Sequence, residues 1–523
     1  NSNSYTPQCR PTVLYTGTHD GLIHAFRVDN LSATKSSCST VVPTQDENDL
    51  GKELWAVIPN GLLRGSHALV DRFHFLMDGE LNLNDVLLVR TDPTTAVTAK
   101  EAKQWRTVLS GGYGKGGRGY FAFDVTNALD GPEVLWEIDP DRRCTPSGCF
   151  DGALDPSSDF SKLGLTTPRP SYGTVFINDE EVAVAVLPGG DSLDDTADEN
   201  VGRVVYVVRL DNGKKLAEFS TELNNVEDMS GAAIKLPSAM TGTASVFSDV
   251  PGVVSTRAFM GDAGGRLWRL NMTGSSPSAW RLQLFHDPYA AGTLKTDVWE
   301  TRQPVIGAPA LALTNTSGHV AVVYGTGNVD YLSDSTSAPH DGVFSVSEIT
   351  DAAGGVSVEW NWSRVLAGTE KLTGSPMIFD KTAYFTTYIT QPNEACAPGG
   401  GRLYGVDFVE ASGKPTDSDS TVPRLDEDGD PATTDLVQYV ETGDSIPMGV
   451  KAVERPSCSV SNGAAGGGGG QSKRGDLELL LNVAKGEGYT PKTVPPGVNG
   501  AAQKTRNITR KLATTGEMLQ SAA

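Results

Sequence analysis

Carboxylates spaced one residue apart are the first feature that could do chemistry. In Asp426-Glu-Asp428-Gly-Asp430-Pro-Ala-Thr-Thr-Asp435, the side chains of Asp426, Asp428, Asp430 and Asp435 could converge on a hard cation while Gly429 lets the loop wrap round it. Calcium is the ligand that such oxygen donors suit. The spacing departs from an EF-hand loop, which wants Gly at position 6, where Pro431 stands, so a solvated acidic loop is the competing reading. Asp191-Ser-Leu-Asp194-Asp195-Thr-Ala-Asp198-Glu199 places five carboxylates in nine residues and reads as a solvated insert between strands. Arg474-Gly-Asp476 spells an integrin-recognition tripeptide, which glycine-rich sequence also produces by chance. None of the seven histidines sits in His-Glu-x-x-His or beside a Gly-x-Ser-x-Gly elbow. His19, His24, His67 and His74 are therefore expected to pack or hydrogen-bond within sheets. Gly111-Gly-Tyr-Gly-Lys-Gly-Gly-Arg-Gly119 could imitate a phosphate loop, but no Ser or Thr follows Lys115 and a strand pattern follows the run. It reads as a turn.

The six cysteines are Cys9, Cys38, Cys144, Cys149, Cys396 and Cys458, each in loop-like sequence. An even number so placed points to three disulfides and an oxidising compartment, with free thiols as the alternative. Cys144-Thr-Pro-Ser-Gly-Cys149 has no second Cys pair or His near it, as a zinc site would need. The chain carries 43 Lys and Arg against 64 Asp and Glu, a net charge of −21. Residues 451–523 hold ten basic and five acidic groups, so residues 1–450 carry −26. Such a body repels phosphate backbones and anionic lipid, which argues against nucleic acid and membrane surfaces as partners. No apolar run approaches the ~20 residues of a membrane helix. The start at Asn1, without Met or an apolar leader pattern, reads as a processed or excised chain.

What positions these residues is a repeat. An apolar strand runs into Gly-x-x or Gly-Gly, a loop of variable length follows, and the chain resumes as Gly-x-apolar-aromatic-x-apolar. Val13-Leu-Tyr-Thr-Gly17 with Gly21-Leu-Ile-His-Ala-Phe26 is one copy, and Ala258-Phe-Met-Gly261 with Gly265-Arg-Leu-Trp268-Arg-Leu-Asn271 is another. Both read as hairpins. Four further copies start near Val108, Ala185, Val322 and Ala383, and three have a preceding strand, at Arg169–Ile177, Gly307–Leu313 and Gly374–Phe379. About four short strands per 60 to 90 residues match propeller blades better than a sandwich. Glu53–Ile58 and Asp85–Arg90 read as a further blade or a large insert. The fold class is therefore all-β, a β-propeller of about seven blades, with six or eight as alternatives. Residues 1–460 form the propeller, 461–475 a Gly/Ser-rich linker and 476–523 a basic tail that could complete the last blade, with a marginal helical pattern at 501–520.

Tyr15-Thr-Gly-Thr-His-Asp-Gly-Leu-Ile-His-Ala-Phe26, Gly51-Lys-Glu-Leu-Trp-Ala-Val-Ile-Pro59, Trp105-Arg-Thr-Val-Leu-Ser-Gly-Gly112, Gly116-Gly-Arg-Gly-Tyr-Phe-Ala-Phe-Asp-Val125, Gly261–Leu270 and Tyr324-Gly-Thr-Gly-Asn328 together resemble the C-terminal propeller of the type IV pilus tip-associated adhesins of the PilY/PilC kind. The resemblance spans residues 13 to about 407 in family order. It implies a secreted pilus-tip protein that works with minor pilins and with host or abiotic surface ligands in pilus assembly, adhesion, retraction and twitching motility, and that is not an enzyme. Members usually carry a further N-terminal region, so the chain reads as a C-terminal piece or a short member. The family's calcium loop falls where this sequence has Phe247–Thr256, with Asp249 as its one carboxylate. Gly51-Lys-Glu-Leu-Trp55 also resembles the tryptophan-docking segment of quinone-dependent propeller dehydrogenases, the rival class; that segment's repetition in other blades, and the adjacent cysteines of such enzymes, are not evident in the sequence. A general protein-interaction propeller is the third reading.

The long segments at 60–104 and 139–168 are the expected docking surfaces, because loops on a rigid scaffold are free to vary and carry function. Lying between blade strands, 139–168 is expected to be removable without loss of the fold. Pairing nearest in sequence gives Cys9–Cys38, Cys144–Cys149 and Cys396–Cys458 out of fifteen combinations. Chain entropy assigns roughly 2 kcal/mol to the short 144–149 loop and roughly 4 kcal/mol to the 396–458 loop. Peptide mapping under non-reducing conditions should recover these three cross-linked pairs, and a Cys9–Cys458 peptide would refute the pairing.

Overall fold

The computed structural model describes residues 12–28, 50–63, 65, 75–91, 104–192, 200–248, 254–290, 302–314, 319–328, 340–351, 354–379, 381–390, 399–409, 422–425, 431–437, 439–443, 446–454 and 477–484. The chain divides into two compact units, Asn1–Pro288 with Pro304–Ile306, and Tyr289–Gln303 with Gly307–Ala522.

The first unit is a succession of antiparallel meanders. Val13–Gly17, Ile23–Arg27 and Glu53–Val57 form the first sheet. Leu81–Leu87, Trp105–Gly112, Tyr120–Asp124, Glu133–Asp139, Arg142–Thr145 and Gly148–Asp151 form the second, in chain order. The third is Ser171–Ile177, Glu180–Pro188, Val204–Arg209 and Lys215–Ser220, with Val89–Arg90 paired to the start of Glu180–Pro188. The fourth runs Ser245–Phe247, Arg257–Gly261, Leu267–Asn271 and Arg281–His286, and Val226–Asp228 pairs with it in parallel. The repeat copies at Val13 and Ala258 are hairpins, with Thr16 opposite His24 and Met260 opposite Trp268. Glu53–Val57 and Leu81–Leu87 correct the expectation of an extra blade or insert. One closes the first sheet and the other opens the second, a distinction that rests on pairing partners rather than on strand propensity.

The central strands, Glu180–Pro188 and Val204–Arg209 above all, are almost continuously apolar because both of their faces are covered. In Glu180–Pro188, Val182, Val184 and Val186 pack into one core with Ala258, Met260 and Trp268 of the fourth sheet. The alternate residues Ala183, Ala185 and Leu187 pack into another with Val108, Tyr120 and Trp136 of the second. The second sheet divides the same way, its Leu109, Phe121 and Phe123 facing Ile23 of the first. A side-chain period of two thus converts one strand into two interfaces.

The second unit repeats the pattern. Ala310–Leu313, Val320–Thr326, Gly342–Thr350 and Val356–Val365 form one sheet. Glu370–Leu372 and Met377–Phe379 both pair with Thr382–Ile389, followed by Gly400–Asp407 and Tyr439–Gly443. Ala321, Val323 and Trp362 of the former pack on Phe385, Tyr404 and Val406 of the latter. Two strand pairs complete the described residues, Val422–Leu425 with Pro431–Val437 and Ile446–Glu454 with Leu477–Ala484, the latter drawing on the expected tail. Six sheets of three or more strands are therefore present among the described residues. The expected linker and the helical pattern at 501–520 lie outside them.

Indoles tie sheet to sheet. Trp55 Nε1 donates to the Ala128 carbonyl at 2.8 Å, Trp136 Nε1 to Leu210 at 2.9 Å and Trp362 Nε1 to Asp407 at 2.8 Å. Each reaches from one sheet to the end of the second or third strand of the next. The docking geometry suggested at Trp55 thus recurs, which corrects the expectation that it stands alone. Gly213, at φ 70°, turns the hairpin that receives Trp136, and a Cβ there would lie 2.7 Å from the indole. Trp136→Phe should lower stability by about 2 kcal/mol through the lost hydrogen bond and the smaller ring, and Gly213→Ala by at least as much, read as shifts in denaturation midpoint.

Candidate binding surface

The glycine-rich run Gly111–Gly119 is where three backbone segments cross. Asp78 N donates to the Tyr113 carbonyl at 3.1 Å, Gly114 N to Thr166 O at 3.1 Å and Thr166 N to Gly117 O at 3.2 Å. Thr166 Oγ1 accepts from Tyr113 N at 3.0 Å and donates to Gly119 O at 2.6 Å. A Cβ at Gly112 or Gly116 would collide with the backbone of Thr166 or Leu76. The N–H groups that a phosphate would need are engaged with carbonyls and a hydroxyl, as befits a turn.

Thr166 ends the segment expected to be a removable insert, and the structure splits that segment in two. Phe160 and Leu163 are fully buried between the second and third sheets, Phe160 meeting Tyr206 edge to face with ring centroids 5.0 Å apart. Deletion of 139–168 would therefore remove core, which corrects the sequence expectation. The hairpin within Arg142–Asp151 and the turn after it carry the segment's exposed side chains, among them Phe150 and Leu154. There Arg142–Thr145 and Gly148–Asp151 form the outermost hairpin of the second sheet, Cys144 opposite Cys149, and the two cysteines are joined as a disulfide. The Arg143 guanidinium lies 4.4 Å from the Phe150 ring centroid while its Nη1 donates to Asn212 O at 2.8 Å, so the hairpin is tied back to the third sheet. Asp155 caps the short turn Pro156–Ser158 by accepting from Ser157 N at 3.0 Å. Hydroxyls of Ser157 and Ser158 hold its carboxyl below the usual range. Phe150 and Leu154 face solvent, Leu154 at 86% exposure.

Beside this hairpin lies a cavity of about 380 Å³, walled by the helical turn Asn60–Leu63, the strand Glu133–Asp139 and the disulfide. Glu137 Oε1 accepts from Asn60 N at 3.1 Å and Asn60 Nδ2 at 3.4 Å, and Oε2 accepts from Gly61 N at 3.3 Å. Burial pushes the Glu137 carboxyl up, against the pull of these donors. Arg142 Nε donates to Asp139 at 2.9 Å. Sequence reasoning missed Tyr113, Asn60 and Glu137. The one visible signal was a tyrosine among glycines, because Gly61 and Glu137 stand 76 residues apart.

Cys9, Cys38, Cys396, Cys458, Asp194, Asp195, Asp198, Glu199, Asp249, Asp426, Asp428, Asp430, His67, His74 and Arg474–Asp476 lie outside the described residues. Asp435 lies on the strand Pro431–Val437, and its side chain is not among those described. Asp191 accepts from Ser192 N at 2.9 Å and its backbone bridges to Leu165. His19 packs edge-on against Phe75 with centroids 4.6 Å apart, and His24 Nδ1 is 3.1 Å from Glu53 Oε1. Among the described residues no cluster of three or more His, Cys, Asp or Glu could hold a metal, and no helix is long and apolar enough to cross a membrane.

A family model described as the PilY1 beta-propeller domain matches residues 3–358. The chain belongs to the PilY1 β-propeller family. A type IV pilus biogenesis factor PilY1 homolog of Xylella fastidiosa is 24% identical over 332 residues, 62% of this chain. The type IV pilus biogenesis factor PilY1 of Pseudomonas aeruginosa is 24% identical over 352 residues, again 62% of this chain. The chain spans only 18% and 24% of those relatives' lengths. The crystal structure of the P. aeruginosa PilY1 C-terminal domain superposes with a TM-score of 0.54 at 16% identity, covering 86% of this chain and 90% of that one. The PilY1 propeller fold is thereby shared. Deletion of 139–168 from this PilY1-family propeller should abolish the cooperative melting transition, and Phe160→Ala alone should cost about 3–5 kcal/mol in chemical denaturation.

Proposed function

We propose that this propeller is a protein-binding module of a type IV pilus biogenesis factor, exported to the cell surface and acting at the pilus tip through minor pilins. The match of residues 3–358 to the PilY1 propeller, with relatives named as type IV pilus biogenesis factors, carries the reading. Adhesion to host or abiotic surfaces belongs to the same proposal.

The surface geometry supports a binder. Arg142–Asp151 is pinned by a disulfide and by Arg143, and it presents Phe150 on the sheet edge, with Leu154 exposed in the turn that follows. Aromatic and aliphatic side chains held rigid before contact are the usual anchors of protein interfaces, because little side-chain freedom remains to be lost. A body of net charge −26 over residues 1–450 needs such apolar anchors or a basic partner to dock on. The indoles of Trp55, Trp136 and Trp362 are engaged within the fold, so the docking segment at Trp55 serves sheet-to-sheet packing.

The test is complementation. Cells lacking the protein should lose surface pili and twitching motility, and the wild-type gene should restore both. Phe150→Ser combined with Leu154→Ser should leave the purified protein's melting temperature nearly unchanged, yet reduce capture of minor pilins about tenfold or more, the loss of one or two interface anchors. Normal piliation in the absence of the protein would overturn the pilus assignment.

A further inference from the structure

In the first unit one place in a sheet is filled three times and left open once. The hairpins of the second, third and fourth sheets each carry a further antiparallel strand on their first member: Leu81–Leu87 on Trp105–Gly112, Ser171–Ile177 on Glu180–Pro188 and Ser245–Phe247 on Arg257–Gly261. By the sequence repeat Val13–Gly17 is the corresponding strand of the first sheet, and it is an edge among the described residues. The difference shows in exposure. Every residue of Arg257–Gly261 is buried, whereas Leu14 is 42% exposed and Thr16 and Gly17 are exposed as well.

The backbone of this edge is set for pairing. Val28 N donates to the Thr12 carbonyl at 3.0 Å and Thr18 N to Leu22 O at 2.9 Å, so in the register of Val13 opposite Arg27 the even-numbered residues bond across to Ile23–Arg27. The odd-numbered ones point the other way. The N–H groups of Val13 and Gly17 are thereby directed outward, and neither has an acceptor among the described residues. Exposed main-chain groups in such a row are a template for another strand.

A cavity of about 280 Å³ adjoins the edge, between Thr16 and Gly17 on one side and Met77, Asp78 and Leu81 on the other. Asp78 is exposed, and its carboxylate has no hydrogen-bond or ion-pair partner among the described residues. No lysine or arginine lines the cavity, so its field favours a cation. The occupant is narrowed further by the chain itself. In the other three sheets the added strand precedes its hairpin in sequence, but the sequence before Val13 carries Pro7 and Pro11, which lack the N–H that a ladder uses. Five edge residues beside one carboxylate suit a short extended segment bearing a basic side chain.

We propose that Val13–Gly17 receives an extended segment of a partner polypeptide as an added antiparallel strand, a lysine or arginine of that segment facing Asp78. In strand addition the main-chain hydrogen bonds supply affinity and the side-chain contacts supply selectivity. The inference deepens the protein-binding reading above and rests on it only for the source of the segment.

Calorimetry and hydrogen-exchange mass spectrometry on the full chain test it, with acetyl-Thr-Val-Thr-Val-Thr-Lys-amide as the probe. Saturable binding is expected, with new protection in the fragment covering residues 12–18. N-methylation of the peptide's amides should weaken binding about tenfold or more, and norleucine in place of lysine about threefold or more. Asp78→Asn should erase the preference for lysine. Val13→Pro removes one outward N–H at a place where an edge strand tolerates proline, so it should weaken the probe about fivefold while the melting temperature stays nearly unchanged. If Val13→Pro does not fold, Asp78→Asn decides. Absence of binding, equal binding of the N-methylated peptide, protection elsewhere, or a lysine preference that survives Asp78→Asn would each overturn the proposal. So would binding that appears only after removal of residues 485–523, which would make the chain's own tail the occupant, or a dimer that Val13→Pro dissociates, which would make it a second copy. Peptide binding without capture of minor pilins would sustain the strand site and sink the pilus reading; capture without peptide binding would do the reverse.

Discussion

A polar side-chain atom buried between two sheets needs a partner there, and the backbone of the next sheet is one source of it. That constraint explains the tryptophans. Trp55, Trp136 and Trp362 each supply a large apolar body to an inter-sheet core, and each must then satisfy one indole N–H. A carbonyl at the end of a strand in the next sheet is free of ladder duty, and Ala128, Leu210 and Asp407 provide it at 2.8 Å to 2.9 Å. The hydrogen bond has direction, so it fixes the rotation and offset of one sheet on the next, which apolar packing alone leaves loose. Gly213 shows how tightly that offset is set, since even a methyl group would meet the Trp136 ring.

The same logic governs the crossing at Gly111–Gly119. Backbone segments around Leu76, Tyr113 and Thr166 approach so closely that side chains are excluded from the contact, and Thr166 satisfies several main-chain groups with a single hydroxyl. The consequence reaches the surface. Tyr113 is held on a turn whose backbone cannot shift, and its ring is carried under Gly61 toward Glu137. The cavity wall at Tyr113 is therefore placed by the crossing beneath it, where backbone segments leave no room for a Cβ.

The sheets were legible because their code is local. Alternating side chains, a glycine at each turn and an aromatic residue two or three positions on are all readable within about a dozen residues, and the hairpins at Val13 and Ala258 follow that code. Legibility failed where meaning depended on a distant partner. Glu53–Val57 and Leu81–Leu87 have ordinary strand composition, and only pairing assigns them to neighbouring sheets. Trp136 stands in Gly131-Pro-Glu-Val-Leu-Trp136, which keeps the glycine, glutamate and leucine of the Trp55 segment with one residue more between glycine and tryptophan, whereas Trp362 shares with Trp55 only a place on a strand, so no fixed spacing announced their common role. Residues 139–168 have no helical or alternating signature after Asp151, yet Phe160 and Leu163 are core, because a loop can deliver apolar side chains without any period. The cavity joins Asn60, Tyr113 and Glu137 from three elements, and no spacing rule connects them.

These features place binding where the fold can bear it. Edge strands are liabilities in most sheets, since their unpaired N–H and C=O groups invite uncontrolled pairing. Here the outermost strand, Gly148–Asp151, is short, closed by a disulfide to its neighbour and capped on one face by the Arg143–Phe150 contact. Its backbone is thus poorly suited to accept a long foreign strand, while its side chains and the cavity behind it stay open. Recognition by an anchor and a pocket, rather than by strand addition, is what this edge permits. The apolar side chains at this edge, Phe150 and Leu154, stand where the disulfide hairpin holds them, and that hairpin is positioned by the sheet contacts behind it.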